Sequence, residues 1–165
     1  MVIWITGFSG AGKTTLACAI NQQLKEQHNI SAILLDGDEI RSILDAEHKV
    51  SYNNRKTLAW SYAKLAKMLS DQGFIVIVAT ISMFEDIRQW NRQYNERYIE
   101  VYLRISEAER KRRDPKGLYK LGKDMVNASY EEPRTPDFCF DEGVSLLQQV
   151  QLVIDQCFNT SDLSL

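Results

Sequence analysis

Basic residues are not in excess: 20 lysines and arginines face 22 aspartates and glutamates, for a formal charge of −2. That balance excludes a general nucleic-acid binder, whose surface normally carries a basic surplus. It leaves room for a local basic pocket around one small anion. No apolar run approaches the ~20 residues that cross a bilayer, so no membrane partner is expected. The opening Met1-Val2-Ile3-Trp4-Ile5 lacks the basic start of a secretion signal. Cysteine is scarce too: Cys18, Cys139 and Cys157 are an odd set with no CxxC spacing, which argues against a disulfide framework and a zinc site. They are expected to pack as small apolar groups, and a reducing cytoplasmic compartment fits this usage. There are only three prolines, all within residues 114–136. Neither repeats nor low-complexity stretches occur.

What remains is an ordinary globular composition, 44% hydrophobic and 25% charged over 165 residues, enough for one domain with a sizeable core. We read residues 1–158 as that domain and 159–165 as a frayed tail. Residues 2–6 (VIWIT), 31–35 (SAILL) and 74–79 (FIVIVA) are short apolar runs suited to buried parallel strands, and 99–103 to a fourth. Between them lie helical patterns over 13–28, about 39–44, 54–72, 84–96 and 107–113, with a last helix over 144–157. In the third of these, Leu58, Tyr62, Leu65, Ala66 and Leu69 share one face, and Gly73 is placed to stop the helix. Ser106 and Glu109 have capping-box spacing. In the last helix, Leu147, Val150, Ile154 and Cys157 form the expected buried stripe. Strands alternating with helices predict a three-layer α/β/α domain with a mainly parallel sheet. Residues 110–136 are expected to form a mobile lid.

Gly7-Phe8-Ser9-Gly10-Ala11-Gly12-Lys13-Thr14 fits G-x-x-x-x-G-K-[ST], and it follows a predicted strand and opens a predicted helix. The glycines let backbone N–H groups turn inward around a phosphate, and the helix start adds its positive end. Lys13 can reach the β- and γ-phosphates of ATP, and the Thr14 hydroxyl can ligate Mg²⁺. Thr15 continues the ATP-binding set. The chain contains neither an Asn-Lys-x-Asp guanine motif nor a Leu-Ser-Gly-Gly-Gln transporter signature, which leaves a small P-loop kinase. Asp36-Gly37-Asp38 ends the second predicted strand, where ligands bind in open α/β sheets. One aspartate can hold a water of Mg²⁺, and the other can accept the proton of an attacking hydroxyl.

With these residues in hand, the chain resembles the adenylylsulfate (APS) kinases, P-loop enzymes that move the γ-phosphate of ATP to the 3′-hydroxyl of adenylylsulfate. The resemblance runs through Trp4–Gly7, Ser9–Thr14, Leu35–Asp38 with Arg41, and Ile81-Ser82. Its most specific part is Arg113-Asp114-Pro115-Lys116-Gly117-Leu118-Tyr119-Lys120, followed by Tyr130-Glu131-x-Pro133. It implies that Asp38 is the catalytic aspartate and that Asp36 is its partner near Mg²⁺ and the acceptor. Arg41 and Arg55 would hold the acceptor's phosphosulfate, with Ile81 and Ser82 beside it. Lys116, Gly117 and Leu118 would close over the acceptor from the lid, and Arg110 or Arg113 would reach ATP. The implied partner is a small-molecule nucleotide, with a homodimer as the family's frequent assembly.

The departures cluster on the acceptor side. The family's Asp-Arg-x-Glu-Asn-x-Arg-Arg stretch retains only Arg55 within Val50–Ser61, with Leu58 where the acceptor-binding asparagine stands and Val50 where a phenylalanine does. Ile-Ser-Pro becomes Ile81-Ser82-Met83-Phe84. The lid is shorter between Tyr119 and Tyr130, where the family carries a Phe-Thr-Gly-Ile segment that stacks on adenine; such stacking is worth roughly 1–3 kcal/mol. The Thr80–Phe84 stretch is similar to a related branch, the cytidine diphosphoramidate kinases of bacterial capsule modification. Tyr52, Trp60 and Phe84 are alternative base platforms or core residues. A non-catalytic nucleotide-binding module is the alternative of another class, and the intact Lys13, Thr14, Asp36 and Asp38 argue against it. A sugar-acid kinase is a third, opposed by the RDPKGLY segment.

Overall fold

The computed structural model describes residues 1–44, 52–113 and 130–158. Its five strands are β1 (Val2–Thr6), β2 (Ile33–Asp36), β3 (Val76–Ala79), β4 (Tyr98–Leu103) and β5 (Phe138–Phe140). They form one sheet in the order β2-β3-β1-β4-β5, and every pairing is parallel. The helices are α1 (Lys13–His28), α2 (Gly37–Ile43), α3 (Tyr52–Asp71), α4 (Glu85–Tyr94), α5 (Glu107–Arg113) and α6 (Leu146–Phe158). None of the described helices is long and apolar enough to cross a membrane.

Side chains alternate across a strand, so β1 divides its own residues between two cores. Ile3 and Ile5 pack with Leu16, Ile20 and Leu24 of α1 and Val150, Val153 and Ile154 of α6. Val2 and Trp4 pack with Ala59, Tyr62 and Ala66 of α3 and Ile87 of α4. The result is the expected three-layer arrangement, with β1 and β3 covered on both faces.

Several local expectations need correction. β5 is an additional strand of three residues, too short to stand out beside two prolines. On α6, Val150, Ile154 and Cys157 are buried as expected and Val153 joins them, whereas Leu147, in the first turn of the helix, is 73% exposed. Cys18 and Cys139 are exposed, and only Cys157 packs inside. α2 begins two residues early because the Asp36 side chain caps it, accepting the Asp38 N–H. The stop at Gly73 holds, with φ at +90°, as does the Ser106–Glu109 cap. His28, expected at a helix end, stacks on Phe158.

One buried ionic cluster ties β4 to the residues before β5. Glu100 faces Arg88 at 3.4 Å and Arg92 at 3.0 Å. Its backbone N–H donates to Asp137, which also pairs with Arg92. Burial raises the Glu100 carboxyl pKa, and the two guanidiniums oppose that shift.

Candidate active site

The carboxyl ends of β1, β2 and β3 converge on one edge of the sheet, and the phosphate loop leaves β1 there. Gly10 and Gly12 sit at φ +78° and +98°, values that L side chains rarely adopt. A Cβ on Gly10 would lie 3.2 Å from the Arg110 carbonyl, and one on Gly12 would lie 3.8 Å from the Arg113 guanidinium. Arg110 and Arg113, expected on the ATP side, therefore stand beside the two loop glycines. Arg110 is buried: its Nε–H donates to the Ile105 carbonyl and its guanidinium lies 4.4 Å from the Phe8 ring centre. Arg113 pairs with Glu109 at 2.7 Å.

The Phe8 carbonyl collects two donors, the Ala11 N–H at 3.2 Å and Lys13 Nζ at 2.9 Å. Lys13 thus spans the loop that it would leave for a phosphate. Desolvation lowers its pKa to about 8, with Asp36 opposing that shift and Arg41 and Arg110 adding to it. Next to it, the Thr14 hydroxyl donates to Asp36 Oδ2 at 2.6 Å, and Asp36 Oδ1 accepts the Asp38 N–H at 2.8 Å. One carboxylate therefore joins the start of α1 to the start of α2. Thr14 and Asp36 offer hard oxygen donors in contact, the type that suits Mg²⁺. Among the described residues there is no group of three or more His, Cys, Asp or Glu that could hold a metal ion. Ser9, Ala11 and Thr15 complete the loop and the first turn of α1.

On the other side, Asp38 pairs with Arg41, one turn along α2, with both side chains partly exposed. Gly37 approaches β3 closely: a Cβ there would lie 2.9 Å from Thr80 Oγ1. Ser82 is buried, its hydroxyl 2.8 Å from that of Thr80, and the Ile81 carbonyl accepts a hydrogen bond from Thr6. Ile81 and Ser82 therefore lie where β1, β2 and β3 end. Arg55, on the first turn of α3, donates to the Tyr130 hydroxyl at 3.2 Å. The predicted residues Lys116, Gly117 and Leu118, and with them residues 114–129 of the expected lid, lie outside the described residues.

Sequence reasoning missed two tyrosines here. The Tyr130 ring lies 6.1 Å from that of Phe8 and 5.8 Å from that of Phe84. Its neighbour Glu131 anchors it: the Glu131 N–H donates to the Met83 carbonyl at 2.9 Å. The Glu131 carboxylate accepts the Glu85 N–H at 2.6 Å, and the Glu131 carbonyl accepts from buried Arg88 at 2.7 Å. Tyr62, read as a core position, turns its hydroxyl to the Gly37 carbonyl at 3.3 Å. Only the Tyr130-Glu131-x-Pro133 spacing hinted at the first, and nothing local marked the second. Of the suggested base platforms, Phe84 is 1% exposed and belongs to the core. Trp60 packs against Trp90, and the side chain of Tyr52 lies outside the described residues.

Residues 1–141 match the family model of adenylylsulphate kinase. A cytidine diphosphoramidate kinase of Campylobacter jejuni is 43% identical over 162 residues, covering 93% of this chain and 94% of the relative. A probable adenylyl-sulfate kinase of Halalkalibacterium halodurans is 36% identical over 163 residues, covering 93% and 78%. The structure of Mycobacterium tuberculosis APS kinase in complex with AMPPNP and APS superposes with a TM-score of 0.82 at 31% identity, covering 94% of this chain and 96% of that one.

Proposed function

The chain belongs to the adenylylsulphate kinase family and is a kinase, and from that premise we propose that it transfers the γ-phosphate of ATP to a sugar hydroxyl of a nucleotide conjugate. The observation that carries this reading is the Thr14–Asp36–Asp38 chain of hydrogen bonds, which joins the phosphate loop to a second carboxylate. Lys13 exchanges the Phe8 carbonyl for the β- and γ-phosphates. Thr14 and Asp36 would hold Mg²⁺, which would supply positive charge to the phosphates. Asp38 faces the acceptor: as the hydroxyl oxygen bonds to the γ-phosphorus, the hydroxyl proton passes to its carboxylate and the β–γ bridging oxygen leaves with ADP. Arg41 and Arg55 receive the acceptor's phosphate and its substituent, since guanidinium forks suit such oxyanions.

Relatives point to two acceptors, adenylylsulfate and cytidine diphosphoramidate. We place the cytidine conjugate first. The support is the 43% identity over nearly the whole of both chains, with Leu58 at the acceptor asparagine and a shortened lid where the adenine-stacking segment belongs. The test is a mass-spectrometric assay of purified protein with ATP and Mg²⁺, adenylylsulfate in one tube and cytidine diphosphoramidate in another, with Asp38→Ala as control. A phosphorylated cytidine product, lost in the control, supports the reading. A product from adenylylsulfate alone reverses the acceptor choice, and ATP binding with no product from either overturns the kinase assignment for these acceptors.

A further inference from the structure

Two tyrosine hydroxyls border the acceptor side, and they do different things. Tyr62, buried in the middle of α3, donates to the carbonyl of Gly37, between the two aspartates. Tyr130 accepts from Arg55 Nη1 at 3.2 Å, with the guanidinium carbon 5.9 Å from its ring centre. A second arginine, Arg88, fixes the backbone next to Tyr130. Arginine side chains are long and lose much rotamer freedom when they grip an anion, so one already held in place binds more tightly. A tyrosine hydroxyl makes a suitable brace because it is neutral, and so does not cancel the arginine's charge as a carboxylate would.

We propose that Tyr130 is a positioning residue that holds Arg55 in place for the oxyanion groups of the acceptor nucleotide. The inference rests on the kinase reading above and assigns a specificity device to the same site. Tyr130 is itself set by the Glu131 anchor onto Met83, Glu85 and Arg88, so the hold on Arg55 reaches back to the start of α4.

Tyr130→Phe removes only the hydroxyl and keeps the ring. Calorimetry would measure the Kd of adenylylsulfate and of cytidine diphosphoramidate, with a non-hydrolysable ATP analogue and Mg²⁺ present; steady-state assays would give KM and kcat. The variant is expected to raise the Kd and KM of the bound acceptor roughly tenfold, as for a lost hydrogen bond to a charged group. Affinity for the ATP analogue and kcat at saturating acceptor stay within about twofold of wild type. In an Arg55→Lys background the Tyr130→Phe change adds little, because the fork it braced is gone. Unchanged acceptor Kd in Tyr130→Phe overturns the proposal, and so does a parallel loss of ATP-analogue affinity, which marks a merely structural role. Wild-type protein that binds an acceptor without phosphorylating it overturns the kinase reading, while the Kd comparison still decides this one.

Discussion

The phosphate loop and the acceptor-side residues meet at the same sheet edge but are held by different means. The loop is a contiguous run of backbone between β1 and α1, and β1 is buried on both faces. Its groups are placed mainly by main-chain geometry, through three glycines at positive φ and the Phe8 carbonyl, with the Thr14–Asp36 side-chain contact added at the start of α1. The acceptor side is assembled from side chains on α2, α3, the β3–α4 connection and Tyr130, each placed by contact with another. Main-chain construction fixes what the loop binds, a phosphate chain, and leaves little to vary. Side-chain construction lets one substitution alter which nucleotide is accepted. The departures from the family pattern fall where the construction permits them.

Asp38→Asn gives the largest expected effect, because it removes the proposed proton acceptor while keeping the side chain's shape. Turnover should fall on the order of 10³-fold, as for loss of a general base, with ATP affinity preserved. Turnover within tenfold of wild type would mean that Asp38 only orients the acceptor.

Arg88→Ala comes next and strikes the acceptor side alone. It leaves Glu100 buried with one cation fewer and frees the Glu131 carbonyl. Stability measured by urea unfolding should drop by about 3 kcal/mol, the scale for breaking a buried pair, and the acceptor KM should rise more than the ATP KM. Equal changes in both would erase the division between the two halves.

The pH dependence of nucleotide binding probes the loop alone. Lys13 has its pKa lowered from 10.5 to about 8, chiefly by desolvation, so its charge is lost as pH rises through about 8. Affinity for ADP, measured in EDTA to exclude metal effects, should fall by up to about tenfold per pH unit above that point. The sign for stability is opposite. Between about 8 and 10.5 the unfolded chain binds more protons at this group than the folded chain does, so its contribution to stability rises with pH. An ADP affinity that stays flat through this range would place Lys13 away from the phosphates.

The same contrast explains what could be read in the sequence. β1 was legible to the residue, because four apolar positions and a threonine run straight into a glycine-rich motif. The phosphate loop was legible because its chemistry is contiguous. Asp36 could be seen as a site carboxylate but not as the cap that starts α2. Tyr62 lay on a predicted core stripe, and a period of 3.6 locates a face without telling where a hydroxyl at its edge points. Tyr130 acquires its neighbours only when the chain returns across β3 and α4. β5 was hidden by its three-residue length, while on α6 the stripe of Val150, Ile154 and Cys157 was legible and only Leu147, in the first turn, departs from it.

The smallest effect tests whether the two halves are independent. Phe8 belongs to the phosphate loop, yet its ring lies edge-on to Tyr130 and under Arg110. Neither contact is needed to hold phosphate, since the Phe8 carbonyl rather than its ring receives Lys13. A double-mutant cycle of Phe8→Ala and Tyr130→Ala, read as acceptor Kd, should give a coupling of about 0.5–1.5 kcal/mol, the range for an aromatic pair. The same cycle read as ATP-analogue Kd should give a coupling near zero if the ring contact serves only the acceptor. A coupling of equal size in both readouts would make Phe8 a mechanical link, so that filling one half of the site is felt in the other.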